Sequence, residues 1–200
     1  MRSFRQAIFP SAVLHNGGIK MATLTYFTNQ YNQEHIHQTL VQYILHPKIY
    51  NSDHHVIGHT NAKLYGGHNV YLQNALENDC SNIDRTMMNT LAFFGKDSAT
   101  CLLHFSINYD TLLTERCICP ELAWQHADFI VKKALHPYQC VFAVHENTKH
   151  LHTHFVVNSI DLNTGLKINA NAFYEILVRF INNNKYLQDT LLNITGYFSV

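Results

Sequence analysis

The chain has 200 residues, 46% apolar and 12% aromatic, enough to bury the core of one domain and too few for two. Its 14 basic and 14 acidic residues cancel with histidine neutral, and residues 21–200 alone carry 11 against 14, which argues against a protein that grips nucleic acid mainly through phosphate charge. No run approaches the ~20 apolar residues that a membrane helix needs, so no membrane insertion is expected.

Residues 1–20 hold Arg2, Arg5 and Lys20 without an acid, and their apolar stretch is short and broken by Pro10. They read as an extension outside the fold, or as lying upstream of a true start at Met21. Met21 to Phe27 alternates and is rich in β-formers, a first strand. From Gln33 to His46 the residues Ile36, Leu40, Val41, Ile44 and Leu45 recur at helical spacing until Pro47, and this helix carries Tyr43. Asn51 to Gly67 is polar, histidine-rich and aperiodic, which predicts a loop with a turn at Gly66-Gly67.

Asp79 to Phe94 predicts a helix stopped by Gly95, and Thr100 to Ile107 a strand. That strand puts Cys101, Leu103, Phe105 and Ile107 on one face and Leu102, His104 and Ser106 on the other. Pro120 opens an amphipathic helix to about Leu135. Two strands follow, Gln139 to His145 and His152 to Asp161, then a turn at Leu162 to Gly165 and a helix from Ala170 to Leu192 with a soft section at Asn182 to Asn184. This order predicts an α+β fold, one domain over 21–200 with a mixed or mainly antiparallel central sheet and flanking helices. The five cysteines, Cys80, Cys101, Cys117, Cys119 and Cys140, include no Cys-x-x-Cys pair, and their odd number suits free thiols in a reducing cytoplasm.

The chemistry is concentrated between Val144 and Asn158, where His145, His150, His152 and His154 fall within ten residues. Residues two apart on a strand share a face, so His152 and His154 present their imidazoles side by side. The short connection from Glu146 to Leu151 returns the chain antiparallel and brings His145 to the same point. Three neutral imidazoles with an open position describe a catalytic rather than a structural divalent-metal site.

With these elements placed, the chain resembles the mobilisation-type relaxases, DNA-nicking transesterases of the His-hydrophobe-His endonuclease group. Val41-Gln42-Tyr43-Ile44-Leu45-His46-Pro47-Lys48 looks like the family's tyrosine segment, and Leu103-His104-Phe105-Ser106-Ile107 like its internal strand with a histidine. His145 through Ile160 is similar to its metal segment, and Gly196-Tyr197-Phe198-Ser199-Val200 to the stretch that closes its catalytic domain. The resemblance spans about Met21 to Val200.

It implies a relaxase fold and strand-specific nicking and joining of single-stranded DNA at a transfer origin, alongside accessory mobilisation proteins. Tyr43 would be the nucleophile, leaving a 5′-phosphotyrosine and a free 3′-hydroxyl, with a divalent ion (Mg, Mn or Zn) on His145, His152 and His154. His150 would support a ligand or touch DNA. His104 has three readings: proton transfer, orientation of a ligand, or a half-buried structural histidine. Asn158 matches a recurrent family asparagine that would hold the hairpin or touch DNA.

The chain departs from the family where an acid often follows the first histidine by two residues. Asn147 stands there, beside Glu146, so the acid's role passes to Glu146 or is lost. A rolling-circle replication initiator would share the chemistry, but its tyrosine usually follows the histidines, whereas Tyr43 precedes them. A non-catalytic DNA-binding remnant of a relaxase is the reading from another class.

Overall fold

The computed structural model describes residues 22–27, 36–53, 55–73, 76–96, 102–110, 118–148 and 150–199. The expected extension at 1–20, the start at Met21 and the thiols of Cys101 and Cys117 lie outside them.

In chain order the elements are β1 (Ala22–Phe27), α1 (Ile36–Leu45), β2 (Lys48–Tyr50), β3 (Val56–His59), β4 (Leu64–His68), α2 (Leu76–Phe93), β5 (Leu102–Tyr109), α3 (Pro120–Lys133), β6 (Cys140–His145), β7 (His152–Asn158), α4 (Ala170–Asn183), α5 (Lys185–Asp189) and β8 (Ile194–Ser199). Six strands form one sheet in the order β4-β6-β7-β5-β1-β8. All pairings are antiparallel except β1 with β8. The fold is therefore α+β, one domain built on a mainly antiparallel sheet with flanking helices.

Strand alternation sorts the sheet into two chemistries. On β6, Phe142 and Val144 face one way, with Phe105, Ile107, Phe155 and Val157 of β5 and β7, and all pack against Ala127, Ile130, Phe173 and Leu177 of α3 and α4. Val141, Ala143 and Val156 face the other way, against Val41, Ile44, Cys80, Ile83 and Met87 of α1 and α2. Burying both faces explains why β6 reads as a continuous apolar run rather than an alternating one. His104, His145, His152 and His154 share the second face, at the end of the sheet that α1 reaches.

Two expectations fail locally. Asn51 to Gly67 is not a loop with a closing turn. It contains β3 and the start of β4, and β2 pairs with β3 in a separate two-stranded ribbon. The ribbon has no apolar alternation because it is exposed on both faces, Val56 and Ile57 included. Gly66 and Gly67 lie within β4, not in a turn: a Cβ on Gly66 would stand 2.6 Å from the Phe142 ring, and one on Gly67 2.5 Å from Val70 and 3.0 Å from the Cys140 carbonyl. These glycines permit close approach of an edge strand.

The long C-terminal helix also divides. Asn169 caps α4 by accepting from the backbone N–H groups of Asn171 and Ala172, and the chain leaves helical geometry at Asn184, whose side chain then caps α5. Cys80, Cys119 and Cys140 are free thiols among the described residues. No helix among the described residues is long and apolar enough to cross a membrane.

Candidate metal centre

β6 and β7 are joined through residues 146–151 in a register that sets His145 directly opposite His152 and Ala143 opposite His154. The small Ala143 leaves room for the rings to gather. The imidazole centroids of His145, His152 and His154 lie 5.2, 4.7 and 5.0 Å apart, and one nitrogen of each falls within 4.8 Å of the others.

The remaining nitrogens fix how each ring is presented. His145 Nε2 donates to the Ile44 carbonyl at 2.7 Å, and His152 Nδ1 donates to the His150 carbonyl at 2.8 Å. His154 Nδ1 is 2.9 Å from His104 Nε2. These contacts occupy Nε2 of His145 and Nδ1 of His152 and His154, which leaves the opposite nitrogen of each ring to offer to an ion, with a hydrogen-bond partner behind it. Burial favours the uncharged imidazole throughout. It lowers His145 to about 4, with the Ile44 contact working the other way, and it lowers His152 and His154 as well. The rings are thus neutral at pH 7, the state a metal requires, and the donor set fits a divalent ion.

His104 is 3% exposed on the neighbouring strand β5, with Phe27 stacked on it at 4.2 Å. Burial, then the nearness of His145, lowers its pKa to about 3, so it too is neutral. Were His154 Nε2 to hold an ion, its Nδ1 would carry the proton and His104 Nε2 would accept it.

Tyr43, on the last full turn of α1, is 40% exposed. Its ring meets those of His154 and His104 edge-on, at 5.6 and 6.1 Å. The fold therefore brings Tyr43, His104, His145, His152 and His154 into one place from α1, β5, β6 and β7. Beside them, Ser106 and Asn108 pair across the strands with His154 and His152, and Asn108 Nδ2 bonds Thr25 Oγ1 at 3.1 Å, so a polar lane runs along β5 and β1.

The other candidates separate. His150 is exposed and contributes its carbonyl rather than its ring. Glu146 is exposed. Asn147 Nδ2 donates to the Lys48 carbonyl at 2.9 Å. Asn158 ends β7 at the opposite end from His152; fully buried, it donates to Gln139 Oε1 and accepts from the Ile160 N–H, so it holds the hairpin and does not reach the site. Neither the Ile44 and Lys48 carbonyl contacts nor the Phe27 stack has a sequence signal, because the first two join residues 101 and 99 positions apart through backbone oxygens that every residue carries.

No curated protein and no solved structure gives a significant match to the chain. Residues 43–185 match the family described as relaxase, MobA/VirD2-like, nuclease domain, a span that begins at Tyr43 and takes in every histidine of the site. With well over half its length inside that match, the chain belongs to the MobA/VirD2-like relaxases.

Proposed function

We propose that this relaxase nuclease domain, a catalytic unit running from Met21 to Val200 and acting in the cytoplasm, nicks and rejoins one DNA strand at a transfer origin through Tyr43. The observation that carries this reading is the half-exposed phenol set edge-on against His154 and His104. Tyr43 Oη would attack the scissile phosphorus, its proton passing to water as the new O–P bond forms, and water returning a proton to the 3′ oxygen. The bond to the 3′ oxygen breaks, and that oxygen departs as a hydroxyl. A phosphotyrosyl ester keeps the energy of the broken bond, so the reverse attack reseals the strand.

A divalent ion held by His145, His152 and His154 would supply positive charge to the phosphate oxygens and favour the phenolate. His104 would hold His154 in its ligating orientation. The ring nitrogens that turn away from the site bond two carbonyls and a neutral imidazole, so no carboxylate offsets the charge offered to DNA. That suits a chain with no net charge of its own.

The strand would be single where it enters, in keeping with the match to a relaxase nuclease domain. Accessory mobilisation proteins would open the origin. The decisive experiment incubates the protein and Mn²⁺ with 5′- and 3′-labelled single strands covering the inverted repeats beside its own gene. A denaturant-resistant adduct on the 3′-side fragment, with a free 3′-hydroxyl on the other, supports the reading. Cleavage without any adduct would mean that water attacks, and the phosphotyrosyl mechanism would fail.

A further inference from the structure

The C-terminal end of α1, where Tyr43 sits, is held in an unusually complete way. Five successive carbonyls accept hydrogen bonds from outside the helix. Leu45 O accepts from the Ala62 N–H at 2.9 Å, His46 O from His59 Nδ1 at 3.2 Å, and Pro47 O from the Thr60 N–H at 3.0 Å. These three donors come from the nearby ribbon and the turn after it. The outer two come from the metal hairpin: Ile44 O accepts from His145 Nε2 at 2.7 Å and Lys48 O from Asn147 Nδ2 at 2.9 Å. The last carbonyls of a helix need such partners, and the hairpin supplies one at Ile44 while also holding the start of β2 beyond Pro47 at Lys48.

We propose that Asn147 is a positioning residue for Tyr43: its amide ties the backbone beyond the tyrosine helix to the metal hairpin, in parallel with His145. This rests on the reading of Tyr43 as the nucleophile. The tie demands an amide. A carboxylate of the same shape has no proton to donate and would set a negative oxygen against the Lys48 carbonyl. The other end of the amide, Asn147 Oδ1, is buried without a hydrogen-bond partner among the described residues. The Lys48 contact is then the one that holds the side chain, and the two hairpin contacts fix both the distance and the angle at which the phenol meets His154.

Two near-isosteric variants test this. Asn147→Leu removes the donor without charge, and Asn147→Asp removes it and adds charge. Both should slow adduct formation at saturating oligonucleotide by about ten- to a hundredfold, the loss expected when a reacting group is displaced by about an ångström. KM for the oligonucleotide and retention of Zn²⁺ should stay near wild type, and hydrogen exchange over residues 44–50 should quicken. An Asn147→Leu protein that reacts at the wild-type rate overturns the proposal, as does one whose rate falls only in step with lost Zn²⁺. Unchanged exchange over residues 44–50 overturns it too. A wild-type protein that forms no adduct defeats the reading of Tyr43 itself, and is told apart from the failure of Asn147 because there wild type and variant react alike.

Discussion

His145 Nε2 donates its proton to the carbonyl of Ile44 across 2.7 Å, so one ring serves the metal hairpin and the helix of Tyr43 together. The consequence is directional. An ion held on Nδ1 would keep the proton on Nε2, and that proton holds the carbonyl of the residue next to Tyr43. The histidine cluster and the helix that carries Tyr43 are therefore joined through one hydrogen bond.

Tyr43→Phe removes one oxygen and keeps the edge contacts with His154 and His104. It should abolish the covalent adduct while leaving oligonucleotide binding and metal content within about twofold of wild type, the pattern of a group that acts only in the chemical step. Gel-shift titration and adduct trapping on the same oligonucleotide separate the two. An adduct that persists would move the nucleophile to another tyrosine. Tyr26 is a poor substitute, being buried and stacked on Tyr174 on the far face of the sheet.

The donor set itself predicts which ions bind. Three imidazoles with no carboxylate among them suit Zn²⁺, Mn²⁺ or Ni²⁺ better than Mg²⁺, which prefers oxygen and gives up water reluctantly. Protein purified without chelator should carry a transition metal that millimolar Mg²⁺ does not displace. The double replacement His152→Ala, His154→Ala should lose it and keep the fold, since Phe155 and Val157 of the same strand remain in the core. Elemental analysis and a melting curve read both outcomes; a double variant with full metal content would place the ion elsewhere.

His104 was open between proton transfer, orientation and a purely structural role, and its geometry distinguishes them by measurement. Its Nε2 faces His154 Nδ1 at 2.9 Å, the position of a partner that holds a ligand. His104→Ala should therefore weaken metal binding by about ten- to a hundredfold, as loss of such a partner usually does. Activity should return at high metal concentration. A variant that binds metal normally but reacts slowly even when saturated would restore the proton-transfer role.

The features legible in the sequence were those written in local periodicity. The paired histidines on β7 and the split of β5 into a core face with Phe105 and a site face with His104 follow from spacing within a few residues; the soft section at Asn182 to Asn184 was legible, but not that the helix ends there. The ribbon of β2 and β3 was not legible because both its faces are exposed, so no apolar alternation marks it. Gly66 and Gly67 look like a turn when only the chain is visible, and become strand residues once the Phe142 ring is known to fill the space where a Cβ would be. Asn147 looked like the loss of an acid. Its amide donates to the Lys48 carbonyl, 99 residues away, a contact no local spacing announces.

The last prediction concerns acid stability and lies away from the metal. His126 of α3 is fully buried, with Nε2 2.9 Å from Thr190 Oγ1 and Nδ1 3.5 Å from the Tyr109 hydroxyl. Thr190 Oγ1 donates to the Tyr186 carbonyl, so it accepts from Nε2–H, and Nδ1 is left to accept from Tyr109. A proton on Nδ1 would set donor against donor. Burial lowers the pKa of His126 from 6.5 to about 4, the Thr190 contact partly opposing. The folded value lies below the unfolded one, so the fold favours the neutral ring. Its contribution to stability is complete above pH 6.5 and is lost as pH falls toward 4. Between pH 7 and pH 5 this amounts to about 2 kcal/mol for one such group. Urea unfolding of the metal-saturated protein should show wild type losing about that much more than His126→Gln over the same interval. Parallel losses in the two proteins would mean that the acid sensitivity belongs to other groups and that His126 keeps an ordinary pKa.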